Sequence, residues 1–328
     1  MLKILSNIFL WILSILVFIK LIYVIENHSS CPQAPYITEE TNIDIGASQI
    51  RAPKIKRTYS YNRQLPLIFV AGIPASGLEL MRLFLNQNPL IRCGRETEII
   101  SDLIYRRHEW VHSKIERERL RHAGMTSDLI DDSVSAFILE TLLKHDKIAD
   151  FLCNKDPDIF LYARYIKKIF PNVKFILMVR DPLSTVDSLL RKGAHFSRIH
   201  FLNNFEEGLS TWNKIMDDYI KDCRFLGENV CKIVFYEKLI LNTNKTVADV
   251  EKFLNVDKPY KKLFKNLTDI NLNPIQINKR QLFKWQRRMS SKLWNMLNDI
   301  VSNIRQFGYD YTERLPLYSI YDNLTFTF

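Results

Sequence analysis

The chain has 328 residues, of which 47% are hydrophobic and 25% are charged. These fractions are those of an ordinary globular protein, so they exclude a mainly disordered chain, a collagen-like chain and a protein with many membrane spans. Lys and Arg total 46 against 36 Asp and Glu, a net charge of +10. Such an excess favours anionic partners, namely nucleic acid, phosphate or sulfate donors, acidic peptides or a membrane surface, although solvated surface side chains would give the same excess.

The N-terminal residues 4–25 form one long apolar run with a single charge, Lys20. A membrane-spanning helix needs about 20 apolar residues, and a lysine near its end can reach the interface with its stem. The run is longer than the apolar core of a cleavable signal peptide, and ENHSSC after it lacks a clear cleavage site. We therefore expect an uncleaved signal anchor, with residues 1–3 in the cytosol and the rest of the chain in the lumen of the secretory pathway.

The cysteines and sequons agree with a lumenal body. Four of the five cysteines could form two disulfides in an oxidising lumen, and Cys223 and Cys231 enclose a loop that one bridge could close. The N-x-S/T sequons are at Asn27, Asn244, Asn266 and Asn323.

Residues 26–64 are polar, broken by proline and without apolar periodicity, which predicts a stem between the anchor and the body.

Beyond residue 64 the chain alternates between short apolar runs and amphipathic stretches. Short apolar runs between turn signals are typical of buried parallel strands, and apolar residues at helical spacing are typical of helices. Repeated strand–helix units predict an α/β fold, a P-loop-like parallel sheet flanked by helices, in which ligands bind beyond the carboxyl ends of the strands. The predicted strands are 65–72, 149–157, 173–182 and 230–240, the last running into a helix, and the predicted helices are 78–88, 125–145, 161–172, 184–193 and 205–227.

The turn after the first strand, from Gly72 to Gly77, has the G-x-x-x-x-G spacing of a phosphate-binding loop that opens a helix. Backbone N–H groups and the helix N-terminus attract anionic oxygens in such a loop. A nucleotide triphosphatase would continue with Lys and Ser or Thr, whereas Leu78 and Glu79 follow here. The spacing is that of an anion-binding loop, and a plain tight turn is the alternative.

Charged side chains stand at the ends of the other strands. Arg180 ends the third strand, and Ser188 and Arg191 lie three residues apart on the next helix, an arrangement that suits a second phosphate group. Lys155, after the second strand, is a compact cation that could meet charge on a transferring group. Glu96, between basic neighbours, is a candidate general base. The alternatives are a structural Arg–Asp pair with a surface serine, and a solvated glutamate.

From about residue 66 to Asp310 these motifs resemble those of the protein-tyrosine sulfotransferases. The matching segments include IFVAGIP, RCG-x-ET, CNKDP, LMVRD, S-x-x-RK, YEKL and FGYDY. The resemblance implies a Golgi type II membrane enzyme that works as a homodimer without a metal and does not bind nucleic acid. It implies transfer of a sulfuryl group from 3′-phosphoadenosine 5′-phosphosulfate (PAPS), the co-substrate, to a tyrosine hydroxyl of a secretory or membrane protein, near acidic residues.

The resemblance also implies roles for individual residues. Glu96 matches the base that takes the tyrosine proton, and Lys155 matches the lysine that stabilises the transferring sulfuryl group. The implied disulfides are Cys93–Cys153 and Cys223–Cys231, which leave Cys31 in the stem. The implied co-substrate contacts are Ser76, Gly77, Leu78 and Glu79 at the 5′-phosphosulfate, Arg180, Ser188 and Arg191 at the 3′-phosphate, and Tyr236.

The sequence departs from the family at several of these positions. In the 5′ loop, Ala75 replaces an arginine, and Leu78 and Glu79 replace two threonines; a lost arginine–phosphate pair is worth about 1.5–3 kcal/mol. The implied substrate-binding residues are Glu98 and Asp102, where the family has arginines, and Arg119, which matches a further arginine. Segment 265–285 is shorter than its family equivalent and lacks a counterpart of the catalytic serine and, at Ile275, of a co-substrate lysine; Lys265, Lys279 and Arg280 lie nearby.

Two classes of function stay open. An active protein-tyrosine sulfotransferase is favoured by the retained Glu96 and Lys155. A lumenal binding protein that keeps the fold without catalysis, a pseudoenzyme, is favoured by Ala75, Glu79 and Glu98. A nucleotide kinase is disfavoured, because the Walker lysine and the Mg²⁺ ligands are missing. The expected organisation is a cytoplasmic tail at 1–3, the anchor at 4–25, the stem at 26–64, the sulfotransferase domain at 65–315 and a C-terminal tail at 316–328.

Overall fold

The computed structural model describes residues 48–51, 58–145, 149–193, 202–256, 282, 284–286, 289–300 and 307–309. All of them belong to one compact unit, Gly46–Phe328. The strands are β1 (Ser48–Arg51), β2 (Thr58–Tyr61), β3 (Leu67–Gly72), β4 (Ile91–Gly94), β5 (Phe151–Lys155), β6 (Lys174–Val179) and β7 (Cys231–Phe235). The helices are α1 (Leu78–Leu85), α2 (Ile99–His112), α3 (Lys114–His122), α4 (Ser127–His145), a 3-10 helix (Pro157–Tyr162), α5 (Ala163–Ile169), α6 (Pro182–Lys192), α7 (Phe205–Leu226), α8 (Tyr236–Leu241), α9 (Thr243–Leu254) and α10 (Ser291–Ile300).

Five parallel strands form the central sheet in the order β4-β5-β3-β6-β7. Every residue of β3 is buried, because helices cover both faces of a parallel sheet. In the register, Val70 of β3 lies opposite Lys155 of β5 and Ile176 of β6. The carboxyl ends of these strands therefore meet at one edge. The predicted parallel α/β sheet flanked by helices is confirmed.

The sequence predictions contained no counterpart of seven elements, namely β1, β2, β4, α2, α3, α9 and α10. The edge strand β4 has only four residues, IRCG, which is too short and too mixed to form an apolar run. The helices α2 and α3 follow it, and α3 buries none of its side chains. A helix without a buried stripe leaves no periodic apolar signal in the sequence.

Two predicted boundaries shift because polar side chains bond the backbone there. The first helix ends at Leu85 rather than at 88, and the Asn86 side chain instead bonds both backbone groups of Cys93, at 2.8 and 2.9 Å. The third strand ends at Val179 rather than at 182, since Asp181 caps α6 by accepting a hydrogen bond from the Ser184 N–H at 3.0 Å. The helix predicted over 161–172 begins as the 3-10 helix and continues as α5.

Part of the expected stem is ordered as a small sheet. Strands β1 and β2 pair antiparallel within 26–64, and Tyr61 is buried in the core of the domain. None of the helices in the described ranges is long and apolar enough to cross a membrane. The expected tail at 1–3 and anchor at 4–25, Cys31 and the C-terminal tail at 316–328 lie outside the described residues, as do three of the four sequons, the exception being the exposed Asn244 on α9.

Four cysteine sulfurs lie at disulfide distance in the two pairs that the family resemblance implies. Cys93 and Cys153 stand opposite each other on the neighbouring strands β4 and β5, with an S–S distance of 1.99 Å. Cys223, in the last turn of α7, meets Cys231 at the start of β7, with an S–S distance of 1.95 Å. The first pair joins the edge strand to the sheet beside the catalytic candidates, since Lys155 is the last residue of β5.

A buried carboxylate, Asp131 on α4, binds donors from two other helices. Its oxygens accept hydrogen bonds from Arg107 of α2 at 2.8 Å, and from Tyr165 and Lys168 of α5 at 2.9 and 2.7 Å. Burial by itself would raise the pKa of Asp131, but the hydrogen bonds from Lys168 and Tyr165 and the charge of Arg107 outweigh it and hold that pKa below its usual value. The three helices are therefore coupled through one anion.

We expect Asp131→Asn to lower the free energy of unfolding by about 2–4 kcal/mol, because the largely buried Arg107 loses its counter-charge. Since folding lowers this pKa, the native protein loses the contribution as the pH falls below about 4, so the variant depends less on pH there. Urea unfolding at pH 7 and pH 3 measures both effects. Asp217→Asn, which breaks an exposed pair with Lys221, is the control and should leave stability unchanged; equal losses in both variants would contradict the role of Asp131.

Candidate active site

A cavity of about 760 Å³ lies at the carboxyl ends of the strands. Three neighbouring strands supply its walls: β3 leads through the turn 73–77 into α1, β5 ends at Lys155, and β6 is followed directly by Arg180. Gly77, Lys155 and Arg180, which are far apart in sequence, therefore line one space. This is the position at which parallel α/β sheets bind ligands.

The turn after β3 has the geometry of an anion-binding loop. Gly77 has φ 100° and precedes α1, and a Cβ at that position would lie 2.4 Å from the ring of Tyr236, so only glycine fits. The Ser76 hydroxyl is buried and has no hydrogen-bond partner among the residues that the structure describes. Gly77, Leu78 and Glu79 line the cavity, whereas the buried Ser76, also expected at the 5′-phosphosulfate, is not among its lining residues.

Arg180 is oriented by backbone and by an aromatic ring. Its Nη1 donates a hydrogen bond to the Ala75 carbonyl oxygen at 2.8 Å, and its guanidinium carbon lies 4.5 Å from the ring centre of Tyr236. Ala75 has φ 70°, which is uncommon for a residue other than glycine and turns its carbonyl group toward Arg180. Burial raises the pKa of Tyr236, so the ring stays a neutral phenol.

Helix α6 brings the other two candidates for a second phosphate into the same cavity. Ser188 and Arg191 both line it, one helical turn apart. Arg191 Nε donates to Asp187 at 2.9 Å, which holds the guanidinium group near the helix surface. The three residues expected at the 3′-phosphate, Arg180, Ser188 and Arg191, therefore all line this cavity.

Glu96 and Lys155 form an ion pair inside the cavity. Lys155 Nζ also lies 3.7 Å from Glu79 Oε2, so the ammonium group is placed between two carboxylates. Glu79 is bound in turn by Arg82, whose Nη2 donates to Oε1 at 2.7 Å. Because the side chain of Lys155 is only 9% exposed, solvent screens its interactions with these carboxylates only weakly.

The wall on the Glu96 side is acidic. Glu98, Asp156 and Asp158 line it as well, and Glu98 has φ 56° just before α2. Burial raises the pKa of Asp156, and the negative charges of Glu96 and Glu98 raise it further. The charged side chains around the whole cavity are Glu79, Glu96, Glu98, Lys155, Asp156, Asp158, Arg180, Arg191 and Lys192.

Two of the three implied substrate residues do not line the cavity. Asp102 lies in the first turn of α2 and is exposed. Arg119 lies on α3, where it pairs with Glu116 at 2.7 Å and is 61% exposed. Among these three, Glu98 alone belongs to the cavity lining within the described ranges. Ile275, Lys265, Lys279 and Arg280 lie outside the described residues.

Sequence reasoning missed several residues of the site. Arg82 stands three positions after Glu79, a spacing that places both on one helix face and could have revealed the pair. Asp158 directly follows the CNKDP segment, and Lys192 is the last residue of S-x-x-RK, but neither was assigned a role in the site. Glu237 is fully buried and accepts hydrogen bonds from the Asp181 N–H at 2.9 Å and the Tyr309 hydroxyl at 2.8 Å.

Glu237 supports the wall that carries Arg180. Burial raises the pKa of Glu237 to about 7, with the nearby Asp181 charge as a further cause. Its two bonds connect the start of α6 to Tyr309 of the FGYDY segment. Within the described ranges, no group of three or more His, Cys, Asp or Glu side chains is placed to hold a metal ion.

Comparison with known proteins identifies relatives of this chain. The sulfotransferase domain from the Synechococcus PCC 7002 olefin synthase has a TM-score of 0.49 and 21% identity, over 75% of this chain and 95% of that domain. Protein-tyrosine sulfotransferase A of Caenorhabditis elegans is 33% identical over 276 residues, 80% of this chain and 72% of that protein. Protein-tyrosine sulfotransferase 2 of Gallus gallus is 32% identical over 280 residues, 81% and 75% of the two chains. The sulfotransferase family model matches residues 66–260. Because the family model matches more than half of the chain and both protein-tyrosine sulfotransferases are more than 30% identical to it, the chain belongs to the sulfotransferase family, among the protein-tyrosine sulfotransferases.

Proposed function

We propose that this protein transfers a sulfuryl group from PAPS to tyrosine hydroxyls of secretory or membrane proteins. The observation that carries the proposal is the Glu96–Lys155 ion pair in a cavity that also contains Arg180, Ser188 and Arg191. A base, a cation for the transferring group and further cations for the nucleotide are the parts that such a transfer needs. PAPS supplies an activated sulfuryl group whose leaving group is adenosine 3′,5′-bisphosphate.

Glu96 acts as the general base on the acceptor. A free tyrosine hydroxyl has a pKa of about 10, so it is a poor nucleophile at neutral pH unless a carboxylate accepts its proton during attack. Glu96 Oε2 is the acceptor atom that we assign, and Lys155 holds it in place before substrates bind. The proton moves from the phenol to this carboxylate as the new S–O bond forms and the bond to the leaving phosphate breaks.

The cations keep the donor in position. Lys155 donates to oxygens of the transferring group, where charge develops. Arg180, held by the Ala75 carbonyl, and Arg191, held by Asp187, present guanidinium groups to the 3′-phosphate. The N–H groups at the start of α1 accommodate the 5′ end, next to the buried Ser76 hydroxyl.

We also propose the setting of this reaction. The apolar run at 4–25 anchors the protein as a single-pass type II protein of the Golgi membrane, with the domain in the lumen. The cysteine pairs at disulfide distance support an oxidising compartment. The working form is a homodimer, as the family resemblance implies.

A lumenal binding protein without catalysis is the second candidate, and two residues of the donor loop favour it. Ala75 contributes no side-chain cation, and Glu79 places a carboxylate 3.7 Å from Lys155. A pseudoenzyme would retain nucleotide or partner binding but transfer no sulfuryl group. Incubation with PAPS carrying labelled sulfate and a tyrosine peptide separates the two, since only the enzyme labels the peptide.

Arg180→Ala tests the donor site. We expect the purified full-length protein to bind adenosine 3′,5′-bisphosphate in a calorimetric titration, and the variant to bind it roughly ten- to hundred-fold more weakly, because a charge-assisted pair is lost. Arg164→Ala is the matched control: Arg164 also lies over an aromatic ring, Phe225, at 4.1 Å, but outside the cavity. Unchanged affinity in the Arg180 variant would place the 3′-phosphate elsewhere, and no binding by the native protein would contradict the proposed function.

A further inference from the structure

Glu79 is the residue of the donor loop whose chemistry fits an anionic ligand least. It is the second residue of α1 and lines the cavity next to Gly77. Backbone N–H groups at a helix N-terminus favour anions, so this turn is where the 5′ end of an anionic nucleotide would bind. Here the turn already carries a carboxylate of its own, which is 47% exposed.

The Glu79 carboxylate is held rather than free to turn away. Arg82 Nε lies 3.1 Å from both of its oxygens, and Arg82 Nη2 donates to Oε1 at 2.7 Å. Arg82 itself is buried and its Nη1 donates to the Cys93 carbonyl oxygen at 3.4 Å. A buried guanidinium group bonded on two sides fixes the carboxylate beside the cavity.

The same carboxylate competes for Lys155. Its Oε2 lies 3.7 Å from Lys155 Nζ, and Glu96 pairs with the same ammonium group. An anion that approaches Lys155 therefore meets an ammonium group that already contacts two carboxylates, of which Glu79 is also paired with Arg82. Binding such an anion breaks the contact between Lys155 and Glu79, and the negative charge of Glu79 then repels the bound anion.

We propose that Glu79 lowers the affinity of this site for the 5′ end of the donor, because the donor must displace the Glu79 carboxylate from Lys155. The inference rests on the proposed function and adds to it a specificity-determining residue. The fixed carboxylate weakens binding of nucleotides with a charged 5′ group and leaves nucleotides without one unaffected. Since Glu79 is half-exposed, solvent screening keeps the effect moderate, about five- to thirty-fold in affinity.

The test is the affinity of Glu79→Gln for two ligands. The glutamine has the same shape, and its amide oxygen can still accept a hydrogen bond from Arg82, but the charge is gone. We expect the full-length variant to bind adenosine 3′,5′-bisphosphate about five- to thirty-fold more tightly than the native protein, and adenosine 3′-monophosphate within about two-fold of it. The gain should shrink as salt is raised, because it is electrostatic.

Glu118→Gln is the matched control. Glu118 pairs with Arg121 at 3.0 Å with the same three-residue spacing, on α3 and outside the cavity lining. We expect native affinity for both nucleotides in this variant. Glu79→Thr provides a second neutral side chain, and thermal unfolding of each variant verifies that it is folded.

The outcomes separate this inference from the proposed function. If the native protein binds the bisphosphate and neither Glu79 variant binds it more tightly, the role of Glu79 is wrong and the donor site stands. If both nucleotides gain equally, Glu79 acts on general charge and not on the 5′ end, which also overturns the inference. If no protein binds either nucleotide, both the inference and the proposed function fail.

Discussion

Glu96→Gln is expected to lower the rate of sulfuryl transfer to a tyrosine peptide by about 10²- to 10⁴-fold, the range that a positioned general base contributes. Glutamine keeps the size of the side chain but cannot take the phenol proton. Affinity for adenosine 3′,5′-bisphosphate should stay within a few-fold, because Arg180, Ser188 and Arg191, which also line the cavity, are unchanged. Single-turnover transfer of labelled sulfate, measured next to a calorimetric titration, gives both numbers.

The control for this variant is Glu140→Gln. Glu140 also pairs with a lysine, Lys144, but on the outer surface of α4. It should leave transfer unchanged, which shows that breaking a Glu–Lys pair does not by itself inactivate the protein. If Glu96→Gln had native turnover, the assignment of Glu96 as the general base would be wrong. If the variant lost donor binding together with turnover, Glu96 would maintain the structure of the pocket rather than accept the proton.

Lys155→Met is expected to lower turnover by about 10²- to 10³-fold, which is the typical effect of removing one donor to developing charge in a transition state. Donor affinity should fall less, by roughly ten-fold, because other cations of the site still bind the donor before the reaction begins. The size of the split between turnover and affinity is the informative result. It follows from the contacts of Lys155, which pairs with Glu96 and Glu79, whereas Arg180 and Arg191 are bound by the Ala75 carbonyl and by Asp187.

Lys155→Arg and Lys144→Met complete the second experiment. Arginine retains the charge but not the compact ammonium group, so we expect partial activity. Lys144 lies on α4 outside the cavity lining, and its loss should change neither turnover nor affinity. If Lys155→Met raised only the KM for PAPS and left kcat intact, Lys155 would bind the donor without stabilising the transition state.

The parallel sheet was readable in the sequence because its strands are buried on both faces. Strands of that kind appear as continuous apolar runs, as in LIFVAG and KFILMV. Two of the elements that were missed, β4 and α3, have no such run. Strand β4 lies at an edge with four mixed residues, and α3 carries KIERERLRH with no buried side chain. A method that reads hydrophobic periodicity has nothing to detect in either.

The sequence predicted which strand ends carry polar and charged residues that line the cavity, but not which of those side chains bond one another. Gly77, Lys155 and Arg180 follow strands, and parallel strands end at the same edge, so their convergence was foreseeable. The bonds of Arg180 to the Ala75 carbonyl and of Lys155 to Glu96 join residues 105 and 59 positions apart. Spacing rules for helices and strands extend over a few residues and cannot predict such pairs.

The sequence by itself determined the sheet, the loop after its first strand and the residue types at the strand ends, because burial and helix capping leave local patterns. Tertiary structure alone decided that Arg119 lies outside the cavity on a solvent-exposed helix. It also decided that Glu79, paired with Arg82, lies against Lys155. The physical reason is that a charge acts through space over a few ångströms, and only the folded chain sets which charges come that close.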